Sequence, residues 1–405
     1  MSTTTTQPPR IVILGGGYAG LAVANRLARY SKQASITLID AQACFHERIR
    51  LHQAAAGQPL QAFSYADFLA PRGIEFISAT ATALNADAAQ LSIRRPDGST
   101  GTFDYDYLVY ALGSHSAGPG ISGAAHAHTL NSPAAAHAIH ASLAGQRNAR
   151  VLVVGAGLTG IETTTELAEN RPDLRITLAA GQALRPEAVP GGFSPAAVEH
   201  LRHTFDRLHI DLHEASRVTR LRAGAAVLDN GRELAFDACI WTSGFAAPPL
   251  AAAAGIQVNA SGQVVTDAFL RSLSHPNIIA VGDAASAATR DGGTCRMGCA
   301  TGLAMAASGA RTLIALLQGR QPTPFRFVYL FRNLSLGRHD GLIQFVDRRD
   351  VPRNIVWTGM PAARWKDYIC RGTLSTVGLR AAEAPPAMPP LRMLPQLLRM
   401  PRQYA

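Results

Sequence analysis

The chain is predicted to be an α/β protein built from two Rossmann-like dinucleotide-binding units with a smaller carboxyl-terminal segment. Residues 11–27 read IVILGGGYAGLAVANRL and residues 151–167 read VLVVGAGLTGIETTTEL, so an apolar run twice enters G-x-G-x-x-G and continues as a helix-like run. Each is followed by a second apolar run, SITLI at 35–39 and RITLA at 175–179. Strand, glycine turn, helix and strand in that order form the signature of a parallel sheet covered by helices.

In the first unit, Ile11 to Leu14 suit a fully buried parallel strand. Gly15 allows the tight exit from the strand, Gly17 lets the backbone approach a pyrophosphate, and Gly20 lets the helix pack close to the sheet. Asp40 follows the second strand, where a carboxylate accepts bonds from a ribose hydroxyl. The second unit repeats the glycines as Gly155, Gly157 and Gly160, but Ala180 stands at the position of the acid. Without that carboxylate nothing repels a 2′-phosphate, so the second site is open to NADPH as well as NADH. Arg185 is near enough in sequence to pair with such a phosphate, and equally suits solvent. Two cradles suit an enzyme that holds a flavin dinucleotide beside a nicotinamide dinucleotide.

Composition narrows the class. The 405 residues carry 47% hydrophobic and 16% charged side chains, as expected for a globular chain of two or three domains. The net charge of +10 comes almost wholly from arginine, since Lys32 and Lys366 are the only lysines, and Schiff-base chemistry is disfavoured. The basic residues are scattered, so no nucleic-acid partner is expected. MSTTTTQPPR carries no apolar leader, and no continuous apolar run is long enough to span a bilayer. Cys44, Cys239, Cys295, Cys299 and Cys370 include no C-x-x-C and suit free thiols in a reducing cytoplasm. The histidines of AHAHTLNSPAAAHAIH, and those at 200, 203, 209 and 213, lack ligand spacing, so no metal is expected.

Two further stretches, DYDYLVYALGSH at 104–115 and HPNIIAVGDAAS at 275–286, end strands in small residues. With GGGYAG, Asp40, GAGLTGIE and CIWTSGF, their order over residues 10–330 resembles the two-dinucleotide-binding flavoproteins, the pyridine nucleotide-disulfide oxidoreductases. The resemblance implies an FAD domain over 10–120 and 255–320, an inserted NAD(P)H domain over 121–254, and a closing segment and tail over 321–405. It implies that FAD lies against Gly15, Gly17, Tyr18, Ala19, Gly20, Asp40, Arg48, Ala111, Gly113, Gly282 and Asp283. NAD(P)H would lie against Gly155, Gly157, Gly160, Glu162 and Gly244.

Disulfide reductases of this family carry a cysteine pair soon after the first acid, whereas here Cys44 stands alone. FHERIRLHQAAAG instead resembles type II NADH dehydrogenases and related quinone reductases, which places Arg48, Arg50, His52 and Gln53 near the flavin or its entrance. The bare residues equally suit a polar surface turn. One departure stands out: the glutamine-rich segment of those dehydrogenases is replaced around Gly309 by Leu303, Ala307 and Ser308. The expected activity is therefore NAD(P)H-dependent reduction of FAD, and then of a quinone or quinone-like aromatic acceptor, with the flavin and no protein nucleophile carrying the chemistry. Alternatives are a flavin monooxygenase, a sulfide-type oxidoreductase using Cys295 and Cys299 on one helical face, and a redox sensor without turnover. Helical start is expected after Met297, with strand, turn and strand around Arg338 to Gly341. The tail LRMLPQLLRMPR spaces Leu391, Leu394 and Leu398 as an interfacial anchor would, but Pro395 breaks the helix, and a solvated tail or a segment packed on its own domain suits it better.

Overall fold

A computed structural model describes residues 7–380, apart from 32, 117 and 119, so the tail with its anchor-like leucines lies outside the described residues. Two five-stranded parallel sheets organise the chain. The first runs Ile278–Ala280, Tyr107–Tyr110, Arg10–Leu14, Ser35–Asp40 and Glu75–Ser78 in spatial order. The second runs His128–Thr129, Ala238–Trp241, Arg150–Val154, Arg175–Ala179 and Asp211–His213. The central strands of both are buried except at their first residue, which explains their unbroken Ile, Val and Leu runs.

Helix α1 (Tyr18–Tyr30) leaves the first glycine turn and α2 (Leu158–Asn170) the second. Helix α3 (Cys299–Leu317) packs along α1 behind the strand Ile278–Ala280. It is long and apolar enough to cross a membrane by length and composition, although Thr301, Ser308, Arg311 and Thr312 interrupt its apolar run and no spanning helix was expected. Half of it is buried. Its small residues serve close packing: a Cβ on Gly309 would stand 2.7 Å from Val281. Strands Phe331–Ser335, Gly341–Val346 and Pro352–Thr358 form an antiparallel sheet. Helix α4 (Gly359–Val377) packs against that sheet, and α2 also contacts its first strand. The hairpin expected around Arg338 to Gly341 is present, bent back by a bond from Leu336 N to Asp340 O.

Candidate functional site: two dinucleotide cradles and a buried charge cluster

At the first turn a Cβ on Gly15 would lie 2.4 Å from the Ala111 carbonyl, and one on Gly20 1.8 Å from the Gly15 carbonyl. No side chain fits either place. Nothing lies within 4 Å of the Gly17 position, so the turn is open at the start of α1, where helical N–H groups attract phosphate. Asp40 accepts from Gly16 N at 2.6 Å and from Gln42 N at 2.8 Å. Burial pushes its pKa up while those two amides pull it down. The carboxylate is thereby fixed beside the turn, as a ribose diol requires.

Asp283 gathers three segments. Ser114 Oγ, just past Gly113, donates to it at 2.7 Å, and Gly298 N, at the start of α3, donates at 2.7 Å. A Cβ on Gly282 would stand 2.9 Å from that of Ala19, so this corner abuts α1 closely. Arg48 is exposed within electrostatic reach of Asp283. Tyr18 packs edge-on against Phe45 at 5.0 Å, and its hydroxyl lies out of water beside Thr373 of α4. An open cradle, a fixed acid at Asp40 and a second acid at Asp283 fit FAD.

The second turn repeats the first. Gly155 N donates to Ala179 O at 2.9 Å, as Gly15 N does to Ile39 O at 2.9 Å. Ser216 N donates to Ala180 O as Ala79 N does to Asp40 O. Ala180 is therefore the structural counterpart of Asp40, and a methyl group stands where the first site has its acid. The Gly157 position is again open, with nothing within 4 Å. Gly244, with φ +74°, follows the strand Ala238–Trp241 in this unit. Arg185 is exposed and pairs with Glu187 at 3.1 Å, on the loop that leaves Ala180.

Between these turns and the carboxyl-terminal sheet lies a group of charged side chains that the sequence motifs revealed only in part. Glu162 on α2 accepts from Ser335 N at 3.0 Å and pairs with Lys366 of α4 at 3.1 Å. Burial alone would raise the Glu162 pKa, but the Lys366 ammonium, with the bond from Ser335 N, more than offsets it, so the group lies below the usual carboxylate range. Lys366 is desolvated too, yet Glu162 raises its pKa and keeps it charged. His52, 4% exposed, stands 3.4 Å from Ser335 Oγ and 3.9 Å from Glu166, and burial pushes it down to about 4, leaving it neutral. Glu166 is held by Arg338 at 2.9 Å and Gln58 at 2.5 Å. Arg50 pairs with Glu47 at 3.1 Å and with Asp367 at 2.9 Å, and also bonds Gln53. Arg50, His52, Ser335, Arg338 and Lys366 line a cleft of about 660 Å³, with Ile49, Leu60 and the buried Leu374 on its apolar side and Glu162 and Glu166 behind them. Lys366, Glu166, Arg338 and Ser335 were missed in the sequence; Lys366 carried one signal, as one of two lysines in an arginine-rich chain.

Cys295 and Cys299 would share a face only on one continuous helix, and the helix does not run through both. Gly298, held by Asp283, stays extended, so α3 starts only at Cys299 and leaves Cys295 in the preceding segment. Burial pushes both thiols up to about 11, so neither is a thiolate at neutral pH. Among the described residues no group of His, Cys, Asp or Glu is placed to hold a metal ion.

Two glycine cradles on parallel sheets, one with a ribose acid and one without, define a two-nucleotide flavoprotein oxidoreductase. The chain belongs to the pyridine nucleotide-disulphide oxidoreductase family, which matches residues 9–310. It is an NADH dehydrogenase-like oxidoreductase that works with FAD and NAD(P)H. It is 28% identical over 409 residues to an NADH dehydrogenase-like protein of Mycobacterium tuberculosis, covering 94% of this chain and 99% of that protein. It is 26% identical to a type II NADH:quinone oxidoreductase of Staphylococcus haemolyticus, covering 91% of this chain and 96% of that one. Its fold is similar to the sulfide:quinone oxidoreductase of Aquifex aeolicus, with a TM-score of 0.76 at 20% identity, covering 91% of each chain. A NAD-dependent persulfide reductase from A. fulgidus shares the fold at a TM-score of 0.72 and 22% identity, covering 83% of this chain and 64% of that one.

Proposed function

We propose that the chain passes reducing equivalents from NAD(P)H through FAD to a quinone or quinone-like aromatic acceptor. The observation that carries this reading is Lys366, paired with the buried Glu162 behind it, lining a cleft with both apolar and cationic walls. FAD, when bound, supplies the hydride acceptor and the electron relay, so no protein nucleophile is needed. The first turn, Asp40 and Asp283 hold FAD, and the second turn holds the nicotinamide dinucleotide with Ala180 leaving the 2′-position unopposed. Reduction of a quinone by NAD(P)H takes up one proton from solvent. Lys366 Nζ, kept charged by Glu162, is the group placed to give a proton to an acceptor oxygen in the cleft, and Ser335 Oγ and the neutral His52 extend the line of polar atoms behind the pair. Ile49, Leu60 and Leu374 flank the acceptor ring.

A sulfur acceptor is the second reading, supported by Cys299 lying within electrostatic reach of Lys366 at the start of α3. The high thiol pKa argues against it. Peripheral membrane contact fits the exposed Leu330, Ile355 and Met360 near the ring cluster of Phe331, Phe345, Trp357 and Trp365. The test is steady-state oxidation of NADH and NADPH by the FAD-loaded protein with a water-soluble benzoquinone, with sulfide plus quinone, and with a small disulfide. Turnover with quinone and NAD(P)H alone supports the reading; turnover that requires sulfide or a disulfide overturns it.

A further inference from the structure

The loop that follows Ala180, residues 181–194, is tied to the carboxyl-terminal sheet by three buried polar side chains with no place in the chemistry above. Arg332 and Gln344 are register partners on adjacent strands and reach the loop together. Arg332, 4% exposed, donates to the carbonyls of Gly191, at 2.5 Å, and Gly192. Gln344, fully buried, accepts from Ser194 N at 2.7 Å and donates to Gly192 O at 3.2 Å. Asp350, 2% exposed and held at φ +67°, offers its carbonyl to Gly191 N at 3.3 Å. Its carboxylate pairs with Arg296 at 2.6 Å and stands 3.6 Å from Arg332. Burying Arg332 and Asp350 in one place, with the half-buried Arg296 beside them, is costly unless each is satisfied. The tied part folds back on the rest of the loop, since Glu187 N donates to Phe193 O at 2.9 Å and Pro186 bridges to Phe193. The fork therefore fixes where Arg185 and Glu187 stand, just past the position that meets the dinucleotide ribose.

We infer that Arg332 is a positioning residue for the nicotinamide dinucleotide: through Gly191, Gly192 and Asp350 it sets the loop that forms the wall of the adenosine-ribose end of the second cradle. The inference rests on the reading that NAD(P)H occupies that cradle. Arg332 does not touch the dinucleotide; a planar fork is needed because two successive carbonyls must be held at once, which a lysine cannot do. Through Arg296, Asp350 also ties the same loop to the segment that enters α3, where Gly298 bonds Asp283, so the loop is registered against the flavin corner and not only against its own domain.

The test uses FAD-loaded Arg332→Met and Arg332→Lys. Dissociation constants for NAD⁺ and NADP⁺ are measured by calorimetry in the absence of any acceptor, beside kcat, KM and amide hydrogen exchange over residues 183–193. Arg332→Met is expected to weaken dinucleotide binding and raise KM by about 10-fold with kcat changed less than about 2-fold, as loss of uniform binding does. Exchange over 183–193 should rise and flavin content should stay full. Arg332→Lys should restore little of the binding. If Arg332→Met folds poorly, Gln344→Met, which removes two loop bonds and no charge, is expected to shift binding and exchange the same way by a smaller factor. Unchanged dissociation constants in a folded variant, or equal loss of kcat and flavin, would overturn the inference. A wild type that fails to bind either dinucleotide would instead overturn the reading of the cradle.

Discussion

Lys366→Met removes the cation from a carboxylate that has no water to replace it. Glu162 retains Ser335 N at 3.0 Å and Ser335 Oγ at 3.3 Å but no cation, because His52 is neutral. Breaking one side of a buried ion pair typically costs about 3–5 kcal/mol. At about 2.1 cal/mol/K of unfolding entropy per residue, a chain of 405 residues loses roughly 5 °C of Tm for about 4 kcal/mol. Glu162→Gln should cost a similar amount, since it strands the ammonium. The double variant Glu162→Gln/Lys366→Met should recover most of the loss, giving a coupling energy of about 3 kcal/mol or more, because an uncharged pair needs no compensation. Urea unfolding of the four FAD-loaded proteins, followed by far-ultraviolet dichroism and flavin fluorescence together, measures it. If the double loss equals the sum of the single losses within about 0.5 kcal/mol, the pair is not coupled and the account of the buried cluster is wrong.

Ala180→Glu should shift preference towards NADH: a carboxylate about 4 Å from a 2′-phosphate charge costs between about 1 kcal/mol in water and about 4 kcal/mol near a protein surface. The ratio of kcat/KM for NADPH and NADH, in wild type and variant, checks it, and an unchanged ratio would mean that position 180 does not meet the ribose. His52 is held near 4 against an ordinary 6.5, so its native state refuses a proton that the unfolded chain accepts. Its contribution is therefore full above pH 6.5 and lost as pH falls towards 4, a difference of about 3 kcal/mol; His52→Gln should flatten that part of the stability–pH curve, and parallel curves would refute it. Replacing Cys295 and Cys299 together by serine should leave quinone reduction within about 3-fold of wild type, whereas loss of flavin reoxidation with intact reduction by NAD(P)H would install a sulfur relay.

The glycine turns, their strands and the contrast between Asp40 and Ala180 were legible because each is written within about thirty residues of chain, where strand period and turn chemistry act locally. The start of α3 after Met297 was legible from its run of small and apolar residues, but the bond from Gly298 N to Asp283 that holds its first turn is a contact that no local periodicity encodes. The buried cluster was legible only at its edges. Glu162 and His52 sit in recognisable motifs, but their partners Lys366, Ser335 and Arg338 come from the last sheet and helix, and a pairing across two folding units leaves no spacing to read. The same holds for Arg332 and Asp350, which in sequence are an arginine and an aspartate in an arginine-rich strand region.

The central claim is a path from NAD(P)H through a flavin in the first cradle to a quinone in the cleft beside Lys366, and anaerobic double-mixing of the FAD-loaded protein tests it most directly. NADH or NADPH is mixed first, and a water-soluble benzoquinone after the flavin absorbance has bleached. The account predicts rapid bleaching by the dinucleotide, rapid recovery with quinone alone, and a Lys366→Met variant slowed in recovery by about 10-fold or more with bleaching unaltered. A flavin that stays oxidised with both dinucleotides, or one that recovers only with a sulfur compound, would contradict it.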